Sequence, residues 1–239
     1  MYKHEHHNKI AQLLQSFNPE ALEETSSLFG GGTAIVLLCA QGFSEYRESV
    51  DVDFMCSSGE GYSKLRSMVY GTDFSPLFSR PVEMIGDVRA DQYGVRGRIK
   101  IDDSVIRLEF VREVRIDLEA GEPVCGVPTL SKVDLFASKL LANVDRGTDM
   151  QSGAKDIVDL AMMQHAWGNI PESAMAKAIQ AYGPVVNKAY EQTRQMINKR
   201  PVFERYMKHL KIEPEAQEII VSILDLDFPE LENDFDFTR

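Results

Sequence analysis

Asp51 and Asp53 stand one residue apart in "SVDVDFMC", a stretch that alternates apolar and polar residues with period two. Such alternation in a β-rich run predicts a strand. Side chains of a strand alternate faces, so both carboxylates point one way while Val52 and Phe54 point into a core. Two like charges side by side repel, and an exposed strand is a poor place for aspartate. A divalent cation relieves that repulsion. Mg²⁺ takes hard oxygen ligands, commonly one or two carboxylates together with substrate phosphates. A third carboxylate stands in "VIRLEFV", where Glu109 lies between Leu108 and Phe110. If this strand lies beside the first, Glu109 joins the aspartates. Three carboxylates can then hold two metal ions that steady the attacking and leaving oxygens of a phosphoryl transfer.

Upstream, Gly30, Gly31 and Gly32 precede an apolar run from Thr33 to Ala40 that reads as a buried helix. Glycines permit unusual backbone angles and close approach of a ligand. Free N–H groups at a helix start bind phosphate, and Thr33 adds a hydroxyl. The spacing is not that of G-x-x-x-x-G-K-[ST] or G-x-G-x-x-G. Taken singly, a glycine run is also an ordinary tight turn, and D-x-D an ordinary surface strand. Together they place a phosphate cradle at one end of a short segment and a metal site at the other.

The elements that must position these residues fall into two groups. "SSLFGGG" reads as a short strand entering a turn, residues 5–17 as a helix, and "GYSKLRSMVYG" as a helix closed by Gly71. "PVEMIGDV", "YGVRGRIKI" and "SVIRLEFV" are β-like, and the last two form a hairpin turning at Asp102-Asp103. After Pro128 the chain is helix-forming throughout, with "PVVNKAYEQTRQMINKRPVFERYMKHL" as one helical run. The expectation is an α+β region over residues 1–127, then a helical region over 128–239 ending in an acidic tail.

The 239 residues carry a formal charge of -11. Residues 212–239 hold nine acidic residues and one basic, a net of -8, which leaves -3 for the rest. The body can therefore still carry a local basic patch. Cys39, Cys56 and Cys125 are few, odd in number and far apart, which points to a reducing cytoplasm. No apolar run reaches the length of a membrane span, and "MYKHEHHNKI" has no signal-peptide core. Terminal His4 and His7 could share a helical face but have no further metal-ligand partners. Basic residues between Arg194 and Lys211 fit either an amphipathic helix or an RNA-contacting one.

The residues "GGTAI…YRESVDVDF" resemble the nucleotidyltransferase superfamily of DNA polymerase β type, within it the AbiEii/AbiGii toxin branch that includes the MenT toxins. That branch has G-G-T-A followed by R-x-S-x-D-h-D, matched here by Gly31, Gly32, Thr33, Ala34, Arg47, Ser49, Asp51 and Asp53. It also has a helical lysine, an arginine and then [KR]-D-x-x-D, matched by Lys139, Arg146, Lys155, Asp156 and Asp159. The gap between Gly32 and Asp51 is longer than in the usual pattern, and "GTDMQSGA" is an insertion. The resemblance implies a polymerase β-like fold, a mixed sheet with flanking helices. It implies transfer of a nucleoside monophosphate from an NTP, with Asp51, Asp53 and Glu109 on Mg²⁺. Gly31, Gly32, Thr33 and Lys139 would meet the triphosphate. Arg47 and Ser49 would orient phosphate or brace the metal strand, and Asp156 would take part in catalysis. It further implies tRNA or another RNA as acceptor and a cognate antitoxin as partner. A protein or small-molecule acceptor, or a non-catalytic binding protein on the same fold, are the competing readings.

Overall fold

The computed structural model describes residues 1–40, 45–152 and 154–228. Six strands form one mixed sheet: β1 (Leu28–Gly30), β2 (Asp51–Cys56), β3 (Glu83–Met84), β4 (Arg89–Ala90), β5 (Gly94–Ile101) and β6 (Ser104–Arg112). Their order is β1-β2-β6-β5-β3, with β4 also pairing β5. Among the strands of the described residues only β2 and β6 run parallel, in a register that sets Asp51 against Arg107 and Asp53 against Glu109. The expected hairpin is present. Ile101 pairs Ser104 across a two-residue turn, and Asp102 adopts φ 53°, a conformation Asp tolerates better than most residues.

Period-two patterning decides the two faces of the sheet. Val52, Phe54 and Cys56 of β2, with Ile106, Leu108 and Phe110 of β6, are buried on one side. Phe54 stacks on Phe110 with centroids 4.9 Å apart. This side is covered by α1 (Glu5–Leu14), through Ile10, Leu13 and Leu14, and by α4 (Gly59–Val69), through Tyr62 and Leu65. Phe17 lies just past the end of α1, not on it, and packs against Phe54 and Phe78.

On the opposite side lie α3 (Gly31–Cys39), α5 (Lys132–Arg146) and α6 (Lys155–Trp167). Every residue of α3 from Thr33 to Cys39 is buried, as an all-apolar helix must be. Ser131 caps α5 by accepting from the Asp134 N–H. The remaining helices are α2 (Pro19–Glu24), α7 (Glu172–Tyr182), α8 (Val185–Ile197), α9 (Arg200–His209) and α10 (Pro214–Ile223).

Three local readings change. Gly31 and Gly32 are the first turn of α3 rather than a loop before it. The run expected as one helix after Pro184 is two, because Pro201 lacks an N–H and fits only a helix's first turn. "PVEMIGDV" yields only the two-residue β3. The acidic tail from residue 229 lies outside the described residues. No helix among the described residues is long and apolar enough to cross a membrane.

Candidate active site

Asp51 and Asp53 share the face of β2 turned toward α5, and Glu109 on β6 is the direct neighbour of Asp53. Burial pushes the Asp53 carboxyl up to about 6, helped by the charges of Asp51 and Glu109 and opposed by Lys139 and Arg107. Glu109 is not idle. Arg107 donates to it at 2.7 Å and Arg96 donates to its other oxygen. Among the described residues no three His, Cys, Asp or Glu side chains stand together as a metal cage. The third carboxylate, Glu109, is instead engaged by two guanidiniums. Asp51 and Asp53 remain a matched pair of hard oxygen donors, and neither is held by a salt bridge among the described residues. Such a pair fits Mg²⁺, which completes its shell with water and substrate phosphate.

The glycines are required by contact. Gly31 has φ 69°, and a Cβ there would lie 2.5 Å from Asp53 Oδ2. At Gly32 a Cβ would lie 2.6 Å from Arg47 Nη2. No side chain caps the start of α3, and both glycines line the cleft with the carboxylates. Gly31→Ala is expected to cut transfer at least about 100-fold while costing about 1–3 kcal/mol of stability, because it combines positive-φ strain with displacement of Asp53. Single-turnover kinetics with thermal denaturation of the same sample checks this. Activity within threefold of wild type would show that the close approach does not matter.

Thr33 does not line the cleft. It is buried and donates to the Asp51 carbonyl, and it shares a 2.8 Å hydrogen bond with Ser49 Oγ. It joins α3 to β2 rather than presenting a hydroxyl to the cleft. Ser49 does line the cleft, and its N–H donates to His7 Nε2 at 3.0 Å. His7 Nδ1 bonds Glu45 at 3.2 Å, which sets the neutral tautomer with the proton on Nδ1. Burial lowers His7 against the opposing pull of Glu45. The terminal histidine cluster thus includes a brace for Ser49.

Beneath the cleft runs a ladder of buried charges. Arg47 forks onto both oxygens of Asp159, at 2.8 and 2.9 Å, and Tyr46 donates to the same carboxylate. Lys139 bridges Asp159 at 2.6 Å and Asp156 at 2.9 Å. Arg146 forks onto Asp156 at 2.7 and 2.9 Å. Burial works against all of these ions. Lys139 nevertheless sits above its ordinary range because Asp156 and Asp159 outweigh it. Asp156 sits well below its own because Lys139 and Arg146 do the same. Lys139 is 5% exposed, so it does not belong to a solvated helix face.

The arrangement is asymmetric. Arg47, Lys139, Arg146 and Lys155 line the cleft, while Asp156 and Asp159 lie behind them. Cations therefore face the cavity with their counter-ions on the far side. Lys155 is lowered, by burial first and then by the Arg146 and Lys139 charges. The cleft encloses about 390 Å³, within the range of small-molecule sites. Met55, Val111, Leu135 and Ala142 line it too, with Arg115 and Asp145, whose side chains pair at 3.0 Å. Sequence reasoning quoted Arg146, Lys155 and Asp159 within a motif without giving them a site role, and passed over Arg96, Arg107, Arg115 and Asp145. Arginines of a strand carry no periodic mark that separates a site from a surface.

Solved structures that resemble the chain include two from Helicobacter pylori. One is a candidate nucleotidyltransferase from H. pylori, with 15% identity, 92% of each chain covered and a TM-score of 0.49. The other is JHP933 from Helicobacter pylori, with 15% identity, 83% of this chain and 98% of that one covered, and a TM-score of 0.33. Among curated proteins none matches. The family model for the nucleotidyl transferase AbiEii toxin of type IV toxin–antitoxin systems matches residues 12–236. That span takes in both carboxylate strands, the glycine turn and the charge ladder, and the chain belongs to this nucleotidyltransferase toxin family.

Proposed function

We propose that this nucleotidyltransferase moves a nucleoside monophosphate from an NTP to a hydroxyl of an RNA, with tRNA first among acceptors. It acts as the toxin of its pair and is restrained by a cognate antitoxin. The observation that carries the reading is the Asp51–Asp53 pair set against the glycine turn, with Asp53 raised to about 6.

In this reading the acceptor oxygen attacks the α-phosphorus, the bond from that phosphorus to the bridging oxygen breaks, and pyrophosphate leaves. Gly31, Gly32 and Ser49 receive the triphosphate, and Lys139, Arg47, Arg146 and Lys155 neutralise it. Asp51 and Asp53 would hold Mg²⁺, which lends Lewis acidity at the phosphate when bound. Glu109 stands beside this pair on the acceptor side and receives the hydroxyl proton. Arg96 and Arg107 engage each of its oxygens once, which leaves a lone pair free on each. The apolar end formed by Met55, Val111 and Leu135 takes the base, with Arg115 and Asp145 at its edge. Thr33, Asp156 and Asp159 act as positioning residues. Asp156 reaches the site through Lys139 and Arg146, not by touching substrate.

Incubation with each α-labelled NTP, Mg²⁺ and total RNA tests this. Label is expected in the tRNA band, from one preferred NTP, and absent when EDTA replaces Mg²⁺. Label in protein or small molecules instead of RNA would move the acceptor to those classes. Absence of both transfer and NTP binding would leave a non-catalytic binding protein.

A further inference from the structure

The sheet does not stop at the cleft. β6 continues sideways into β5 and β4, and residues directly opposite across an antiparallel pair share a face. Arg107 is opposite Arg98, Glu109 is opposite Arg96, and Arg96 is opposite Arg89. Lys100 lies on the same side, opposite Val105. The face that carries the catalytic carboxylates thus extends outward as Arg107, Arg96, Arg98, Arg89 and Lys100. It is open to solvent. Arg98, Arg89 and Arg107 are exposed, and Val105 among them is 50% exposed.

Its acids are already engaged. Glu109 binds Arg96 and Arg107, Asp91 binds Arg96, and Glu83 binds Lys100. Arg89 and Arg98 have no ion-pair partner among the described residues. Outward of Asp51 and Asp53, which flank Arg107 and Glu109 on the same face, five cations stand against three acids, a local positive excess on a chain whose total is -11. That field begins at Arg107 and Glu109, which themselves line the cleft.

We infer that the outer β6–β5–β4 face is the docking surface for the acceptor RNA, with Arg89 and Arg98 contacting its phosphates. The inference rests on the RNA reading of the acceptor. Three features favour a polynucleotide over an acidic protein. The positive field runs directly into the catalytic strand, so its occupant must deliver a reacting end to the carboxylates. The cations are mostly arginines, which match phosphate oxygens in a fork. The paired positions of this surface carry charged side chains, Arg107, Arg96, Arg98, Arg89 and Lys100, with Val105 the apolar one among them.

The double variant Arg89→Ser/Arg98→Ser removes two exposed, unpaired charges. Anisotropy titrations of fluorescent tRNA over a range of salt concentrations, with NTP binding measured in parallel, read the effect. Affinity for tRNA is expected to fall about ten-fold and the slope of log affinity against log salt to flatten by about 1.5. NTP binding should not change. Unchanged tRNA affinity and slope, with wild-type protein binding tRNA, would overturn the docking surface and leave the RNA reading standing. Wild-type protein that binds no RNA would overturn both. Polyglutamate as a second probe separates the rival occupant. Loss of polyglutamate binding with tRNA binding intact would assign the face to an acidic protein instead.

Discussion

Asp53→Asn is expected to abolish nucleotide transfer, by about 10³-fold or more, and to make the metal-free protein more stable. The two effects share one cause. Asp53 is pressed against Asp51 and Glu109 in a partly buried cleft, and its carboxyl is raised to about 6. The folded chain therefore holds this proton more tightly than the unfolded chain. Stability from that proton is present at acid pH and is lost as pH rises through about 6, where Asp53 must ionise beside like charges. At pH 7 the ionised group costs on the order of 1–3 kcal/mol. Asparagine keeps the shape and removes the charge, so Tm should rise by several degrees. Wild-type protein should gain the same stabilisation from added Mg²⁺, and the variant should not. Calorimetry with and without Mg²⁺ at pH 5 and pH 7.5 reads all four cases. A fall in Tm for Asp53→Asn, or equal Mg²⁺ stabilisation of both proteins, would remove the carboxylate pair as a cation site. Gain of stability on loss of a functional charge is the usual trade at sites built for chemistry.

Asp159→Ala is expected to cost about 3–5 kcal/mol, the largest stability loss among the site residues. Its carboxylate receives both arms of Arg47, the Lys139 ammonium and the Tyr46 hydroxyl, and it is fully buried. Without it, Arg47 keeps one hydrogen bond, to the Glu48 carbonyl, and its place over the Tyr46 ring, and Lys139 is left with Asp156 alone. Two buried cations would then face each other with too little counter-charge. Asp145→Ala is the comparison, since it too removes a carboxylate from an arginine, but at 47% side-chain exposure. That loss should stay below about 1 kcal/mol. Urea unfolding of both variants checks the pair of values. A loss below about 1 kcal/mol for Asp159→Ala would mean that water or rearrangement replaces the buried partner, and that the ladder does not hold Arg47 and Lys139 in place.

Strand β2 could be read from sequence because its logic is local. Period two alone puts Asp51 and Asp53 on one face and Val52 and Phe54 on the other, whatever the rest of the chain does. The glycine turn, the hairpin at Asp102-Asp103 and the apolar α3 were legible for the same reason. Each depends on the preferences of a few consecutive residues. The end of α1 and the break between α8 and α9 were missed where helix spacing ran on past the last stable turn.

Partner choice is another matter. Arg47 could have turned to phosphate or to a carboxylate, and it turns to Asp159, 112 residues later. Thr33 could have faced the cleft but bonds backward to β2, and His7 reaches Ser49 across 42 residues. Glu109 meets Asp53 only because β6 pairs with β2 in one register; a shift of one residue would place Leu108 there. Sequence by itself determined which residue types were available and which face of each element they occupy. The tertiary structure decided which charges neutralise one another and which are left facing the cleft. That choice rests on distance and burial, and both arise only when distant segments pack.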